Sequence, residues 1–272
     1  MMNKVPAILI RYDVTEAENP RSCDMSGHSK WSTIKRQKGA TDAKRGQLFT
    51  KLAREITIAA RQGVPDPDAN TRLRLAVDRA KTANMPKDNI ERAIQRAVGS
   101  GSGDQYEEVF YEGYGPGGGA LMIQVQTDNR NRTVGEVRAV LTRAGGTLGE
   151  NGSVGWMFDQ MGLIEVPIGS ADADEIALVA IDAGASDVET EDGVLVVYTD
   201  PTELHRTREA LIAAGYEVEA AQLTMRPKTL VAPESDAAVK LIRLVEKLED
   251  LDDVQEVFTN VDVDDEVLAA AM

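Results

Sequence analysis

Residues 163–224 read LIEVPIGSADADEIALVAIDAGASDVETEDGVLVVYTDPTELHRTREALIAAGYEVEAAQLT, and the order of patterns in this stretch decides the fold. Leu163–Val166 has the apolar content of a short strand, and Asp172–Ala183 has a helical spacing of apolar residues. Asp187–Thr190 and Val194–Tyr198 read as two strands, joined by the turn signal Glu191-Asp192-Gly193. Thr202–Ala214 returns to helical spacing, and Glu217–Thr224 is a strand again. The sequence of elements is βαββαβ, which is the split βαβ or ferredoxin-like plan.

The flanking chain continues the same α/β texture. Ala120–Thr127 alternates as a strand. Val134, Val137, Val140 and Leu141 follow as a helix expected to begin at Thr133 and closed by Gly145-Gly146. Val154–Phe158 reads as a strand. Ala237–Leu248 is an amphipathic helix carrying Val239, Ile242, Val245 and Leu248, with a strand at Val254–Thr259. These outer pieces predict a second unit of the same kind, completed across the first, which would then be an insertion.

Upstream the periodicity is purely helical. Phe49, Leu52, Ala53, Ile56 and Ala60 form one stripe, stopped by Gly63. Leu73, Ala76, Val77 and Ala80 form a second, with Asp68 or Asn70 as its N-cap. Ile90, Ala93, Ile94 and Ala97 form a third, with Pro86 at its start and Gly99 at its end. Ser100-Gly101-Ser102-Gly103 reads as a linker. The expected class is therefore α+β, an N-terminal helical domain followed by two ferredoxin-like lobes, one inserted in the other. The expected boundaries are a flexible extension over 1–24, a basic helical domain over 25–104, a discontinuous α/β domain over 105–160 and 222–272, and an inserted domain over 161–221. Met25 is a plausible initiator in that division.

Charge is distributed along the same division. The whole chain of 272 residues has a formal net charge of −15. Residues 25–104 alone carry 16 Lys and Arg against 8 Asp and Glu, whereas residues 105–272 carry 11 against 33. Binding to a polyanion follows the local patch and its field, not the net charge. The single cysteine, Cys23, excludes an intramolecular disulfide framework and suits a reducing, cytoplasmic setting. No apolar run reaches the length of a membrane span.

Catalytic and cofactor motifs fare poorly. Gly113, Gly115 and Gly118 match GxGxxG, but a dinucleotide site needs a strand before it and a helix after it. Here Pro116 interrupts the motif and the strand at Ala120–Val125 follows, so a glycine-rich turn is expected. His28 and His205 lack ligand-spaced neighbours, and the acidic run Asp262, Asp264, Asp265, Glu266 reads as solvated charge. No nucleophile–base pair is evident, so the expectation is no enzyme, no cofactor and no metal, with an enzyme using the glycine loop at 113–119 as the remote alternative.

The basic cluster is the stronger signal. Lys30, Lys35, Arg36, Lys38, Lys44, Arg45, Lys51 and Arg54 lie within 25 residues, opposed in that window by Asp42 alone. Such a cluster gives sequence-independent affinity for phosphates through counterion release. Trp31 offers a ring to stack on a base or to anchor the first helix. Arg130 and Arg132, just ahead of a helix, form a second candidate phosphate patch, with a solvated loop as the alternative.

Three groups of residues then resemble the YebC family. They are Met25-Ser26-Gly27-His28-Ser29-Lys30-Trp31 with Lys44-Arg45-Gly46, Phe49-Thr50-Lys51 and Asp66-Pro67-Asp68-Ala69-Asn70; Tyr111-Glu112-Gly113-Tyr114-Gly115-Pro116-Gly117-Gly118; and Thr127-Asp128-Asn129-Arg130-Asn131-Arg132-Thr133 with Asp252-Asp253-Val254-Gln255-Glu256-Val257. The resemblance runs from Met25 to near the C-terminus. It implies three domains, a cytoplasmic location in bacteria and a non-enzymatic role in gene expression. The family includes proteins named as DNA-binding transcriptional regulators, a mitochondrial translational activator, and relatives implicated in helping ribosomes through proline-rich stretches. The expected partner is nucleic acid. A monomer on ribosomal RNA or the ribosome is favoured, because no dimer seam matches a palindromic operator and the acidic lobes would be repelled by a long duplex. Promoter DNA is the alternative.

Overall fold

The computed structural model describes residues 42–99, 106–191, 193–263 and Val267. The helical part comprises α1 (Asp42–Gln62), α2 (Thr71–Thr82) and α3 (Lys87–Val98). Their apolar stripes meet in one core of Leu52, Ile56, Ala59, Ala60, Leu73, Ala76, Val77, Ala80, Ile90 and Ala93. Small alanines on facing helices let the three pack closely, since aromatic filler is scarce. Asn70 is the N-cap of α2: its side-chain oxygen accepts from the Leu73 N–H. The same amide donates to the Ala59 and Val64 carbonyls, both at 2.9 Å, and so ties the α1–α2 loop down. Gly99 closes α3 as the sequence predicts.

Two four-stranded antiparallel sheets follow, making the fold α+β. One contains β4 (Phe158–Pro167), β5 (Ala185–Glu191), β6 (Val194–Thr199) and β7 (Ala220–Pro227), with α5 (Ala173–Asp182) and α6 (Leu204–Ala213) between them. Its order, β5-β6-β4-β7, is the ferredoxin-like arrangement read from residues 163–224. Ile164, Val166, Leu195 and Val197 point to the helices and bury Ile176, Ala180, Leu204 and Leu211.

The other sheet contains β1 (Glu107–Tyr114), β2 (Ala120–Thr127), the short β3 (Thr147–Leu148) and β8 (Val254–Thr259) in the order β3-β1-β2-β8. Helices α4 (Arg130–Arg143) and α7 (Ser235–Glu249) cover one face through Val137, Leu141, Leu241 and Val245. The opposite face, Ala120, Met122 and Phe258, packs against Val154 and Phe158 at the start of β4. β2 is consequently buried on both sides. This explains why its first half, Ala120–Ile123, is continuously apolar.

The structure corrects several element readings. β1 was not legible as a strand, and it pairs with β2 along its whole length, Glu107 opposite Thr127 and Tyr114 opposite Ala120. Val154–Phe158 is not a strand: a short 3-10 turn at Gly155–Met157 leads into β4. α4 begins at Arg130, three residues before Thr133, with Asn129 as its cap. β4 crosses the expected 160/161 boundary and β7 crosses 221/222, so the two sheets exchange chain at residues 158 and 227.

The GxGxxG motif is a turn between β1 and β2. A Cβ on Gly113 would lie 2.7 Å from the Thr147 carbonyl oxygen on β3, and Gly118 sits at φ +78°. Close strand approach and a left-handed turn therefore account for these glycines, with no bound phosphate required.

Candidate nucleic-acid interface

Helices α1 and α3 lie side by side and leave a groove on one face. From α1, Thr50, Arg54, Thr57 and Arg61 reach it, spaced so that one helical face carries them all. From α3, Asn89, Arg92 and Arg96 do the same at steps of three and four. Phe49 and Tyr106 supply aromatic wall, and Met85 closes one side. The cavity volume is about 540 Å³, and no carboxylate is among its described lining residues. Arg92 is held along α3, its Nε donating to the Asp88 carbonyl at 3.1 Å and its Nη2 to the Asn89 side-chain oxygen. Arg96 is exposed.

Arg54 is the innermost of these cations. Its guanidinium lies 4.8 Å from the centroid of the Tyr106 ring. It also donates to the Gln126 and Asp252 carbonyls at 3.0 and 2.7 Å and pairs with Asp253 at 3.1 Å. Asp253, 4% exposed, is a junction of three chain segments. Its other oxygen accepts from Arg132 at 2.7 Å, from Thr133 at 2.6 Å and from Thr127 at 3.0 Å. Burial alone would push this carboxyl up. The hydrogen bonds from Arg132, Thr133 and Thr127 and the charge of Arg54 outweigh it and hold the acid below its ordinary range.

Neighbouring side chains reinforce this seam between α1 and the loop before β8. Gln47 donates to the Asp250 carbonyl and, at 3.2 Å, to the Asp252 carboxylate, while Lys51 donates to the Glu249 carbonyl. On the far side, Arg72 grips both oxygens of Glu108 at 2.8 and 2.9 Å. Arg208 reaches Asp78 at 3.2 Å, and Arg74 approaches the His205 ring nitrogen at 3.0 Å. Arginine can only donate, so that nitrogen accepts and the proton sits on the other one.

The sequence-predicted site residues divide into three sets. Lys30, Trp31, Lys35, Arg36 and Lys38 lie outside the described residues, and Lys44 falls on α1. Arg45 is exposed on α1. Lys51 and Arg54, expected to contact phosphates, instead face the acidic lobe and hold it. The second patch is altered in the same way: Arg132 is bound by Asp128 and Asp253, and Arg130 pairs with Glu107. The backbone N–H of Arg132 is likewise capped by Asn129 at 3.1 Å. Both arginines remain exposed at this helix start, each with a carboxylate partner beside it.

Sequence reasoning missed Arg61, Arg92, Arg96, Phe49 and Tyr106 as groove residues. The signal was present as helical spacing: Asn89, Arg92 and Arg96 recur on the polar side of a helix whose apolar side was read correctly. It also missed Glu112, whose carboxylate accepts from the Gly152, Val154 and Gly155 N–H groups at 2.7, 2.6 and 2.8 Å. Burial would raise this acid, and those backbone donors outweigh it and lower it. An internal carboxylate thus fills an N–H nest that could otherwise hold an anion.

Among the described residues no group of three or more His, Cys, Asp or Glu is placed to hold a metal ion. No described helix is long and apolar enough to cross a membrane.

Comparison with known proteins gives a consistent picture. Residues 29–100 match the profile of the TACO1/YebC protein N-terminal domain, and residues 106–261 match that of the TACO1/YebC second and third domain. A protein of Roseiflexus castenholzii named "Probable transcriptional regulatory protein" is 56% identical over 248 residues, covering 89% of this chain and 97% of that one. One of Chloroflexus aurantiacus, named in the same words, is 54% identical over 248 residues, covering 90% and 98%. The crystal structure of the conserved hypothetical protein Aq1575 from Aquifex aeolicus superposes with a TM-score of 0.77 at 48% identity, covering 84% of this chain and 94% of that one.

Proposed function

The chain belongs to the TACO1/YebC family, and we propose that it is a non-enzymatic, nucleic-acid-binding regulator of gene expression that acts as a monomer on ribosomal RNA in the cytoplasm. The observation that carries the reading is the groove between α1 and α3, lined by Arg54, Arg61, Arg92 and Arg96 with no carboxylate among its described lining residues, on the basic part of an otherwise acidic chain. The nearest buried acid, Asp253, is turned inward against Arg54, so it does not oppose an approaching phosphate. The remaining acidic surface repels a long, uniformly charged duplex. It suits a site where RNA is short or folded and basic proteins lie nearby. The names of the relatives, which speak of transcription, favour a second reading: binding to promoter DNA.

Crosslinking in growing cells, followed by sequencing of the nucleic acid bound to the full chain, separates the two. Recovery dominated by ribosomal RNA is the expected result. Recovery dominated by promoter fragments establishes the second reading, and recovery of neither class above an uncrosslinked control removes both.

A further inference from the structure

We propose that the groove between α1 and α3 is a seat for one unstacked base of single-stranded RNA, with the flanking phosphates on Arg92 and Arg96; this rests on the nucleic-acid reading above. The shape argues first. Elements that read a duplex protrude into its major groove. This surface is concave, and its volume of about 540 Å³ lies within the range of small-ligand pockets. A concavity of this size suits a splayed nucleotide better than an intact duplex.

The lining argues next. Tyr106 carries Arg54 near its ring at 4.8 Å, which fixes an aromatic plane with a cation behind it. Phe49 stands on the same groove. Aromatic faces paired with arginine form the stacking platforms of single-strand binders. Arg92 donates to the Asn89 side-chain oxygen, which leaves the NH₂ as the donor end of that amide. An amide NH₂ donates to a base carbonyl or a 2′-hydroxyl oxygen. Thr50, whose hydroxyl donates to the Gly46 carbonyl at 3.1 Å, keeps lone pairs to accept from a 2′-hydroxyl. That pair of groups is the reason for choosing RNA.

The groove is also rigid where it must be. Arg54 is held by Asp253 and two carbonyls, so the cation behind the Tyr106 ring does not have to order on binding.

The test uses the full chain and a 12-nucleotide RNA carrying 2-aminopurine at its centre, single-stranded or annealed to its complement, with the same sequence as a DNA strand. The expected result is at least tenfold tighter binding of the single RNA strand than of the duplex, with a change in 2-aminopurine emission. Tyr106→Leu should lower single-strand affinity about tenfold, the size of one lost stacking contact, and abolish the emission change. Arg92→Glu with Arg96→Glu, both on the exposed side of α3, should lower it by more than tenfold. Arg96→Glu alone is the safeguard should the double variant unfold in circular dichroism. Equal binding of duplex and single strand, or variants that bind as the wild type does, overturn the seat while leaving a nucleic-acid-binding protein. Tighter binding of the DNA strand overturns the choice of RNA. A wild-type chain that binds none of the three probes removes the underlying reading itself.

Discussion

Asp253 shows how one carboxylate can set the terms for several segments. It joins Arg54 of α1, Arg132 and Thr133 of α4, and Thr127 at the end of β2. Removing it leaves Arg54, whose side chain is 10% exposed, without its anion in a nearly dry setting. Breaking a buried pair from one side costs about 3–5 kcal/mol. Asp253→Ala is therefore expected to lower unfolding free energy by about 3 kcal/mol, as measured by urea titration of the full chain. The same residue shapes the acid response, together with Glu108 and Glu112. All three carboxyls are held below their ordinary range, so each stabilises the fold fully above its unfolded value of about 4 and loses that contribution as pH falls through the lower folded value. Stability should be flat in this respect above about pH 5 and decline steeply below about pH 4. Asp253→Asn should show a shallower decline over that acid range, and an unchanged profile would refute the assignment. None of this was readable from sequence. Asp252-Asp253 looked like any solvated acidic pair, and only the fold brings it to a helix about 200 residues earlier.

At the scale of elements, helices were legible where caps and stripes agree. For α2, Asn70 and the stripe Leu73, Ala76, Val77, Ala80 point to the same boundary, and all four apolar residues are buried. Asn70 does more than cap, because its amide also holds Ala59 and Val64. Asn70→Ala is expected to destabilise the chain by about 1–2 kcal/mol, in the upper part of the range for lost caps. Thermal unfolding checks this, with Asn129→Ala, a cap without those extra bonds, as the milder comparison. Strand β1 was illegible for a physical reason. Glu112 points inward to bind loop N–H groups, and Gly113 has no side chain to continue the alternation. A buried acid in a strand mimics a polar break. The start of α4 was hidden likewise, since Arg130, Asn131 and Arg132 look like loop until their carboxylate partners are known.

The whole molecule is a basic helical unit fastened to acidic lobes, and its charge division was the part most plainly written in the sequence. Reversing Lys35, Arg36, Lys44 and Arg45 to Glu should flatten the plot of log affinity against log salt by about three units, at about 0.7–0.9 per lost phosphate contact. Titrations at four or more salt concentrations, with circular dichroism as the folding control, measure it. A folded variant with the wild-type slope would confine the interface to the arginines of the groove. What the sequence concealed was the cost to that division of holding the molecule together, with Arg54 drawn inward and Lys51 and Arg132 bound to groups of the acidic part. The seam has a consequence for how the protein is made. Its two halves, Gln47 to Arg54 and Glu249 to Asp253, are separated by about 200 residues of chain. At elongation rates of about 5–20 residues per second, the helices are made some 10–40 seconds before their acidic partners exist. For that interval every residue of the core shared by α1, α2 and α3 is already made, while Arg54 has no Asp253 to pair with, beside the RNA of the particle that is synthesising it.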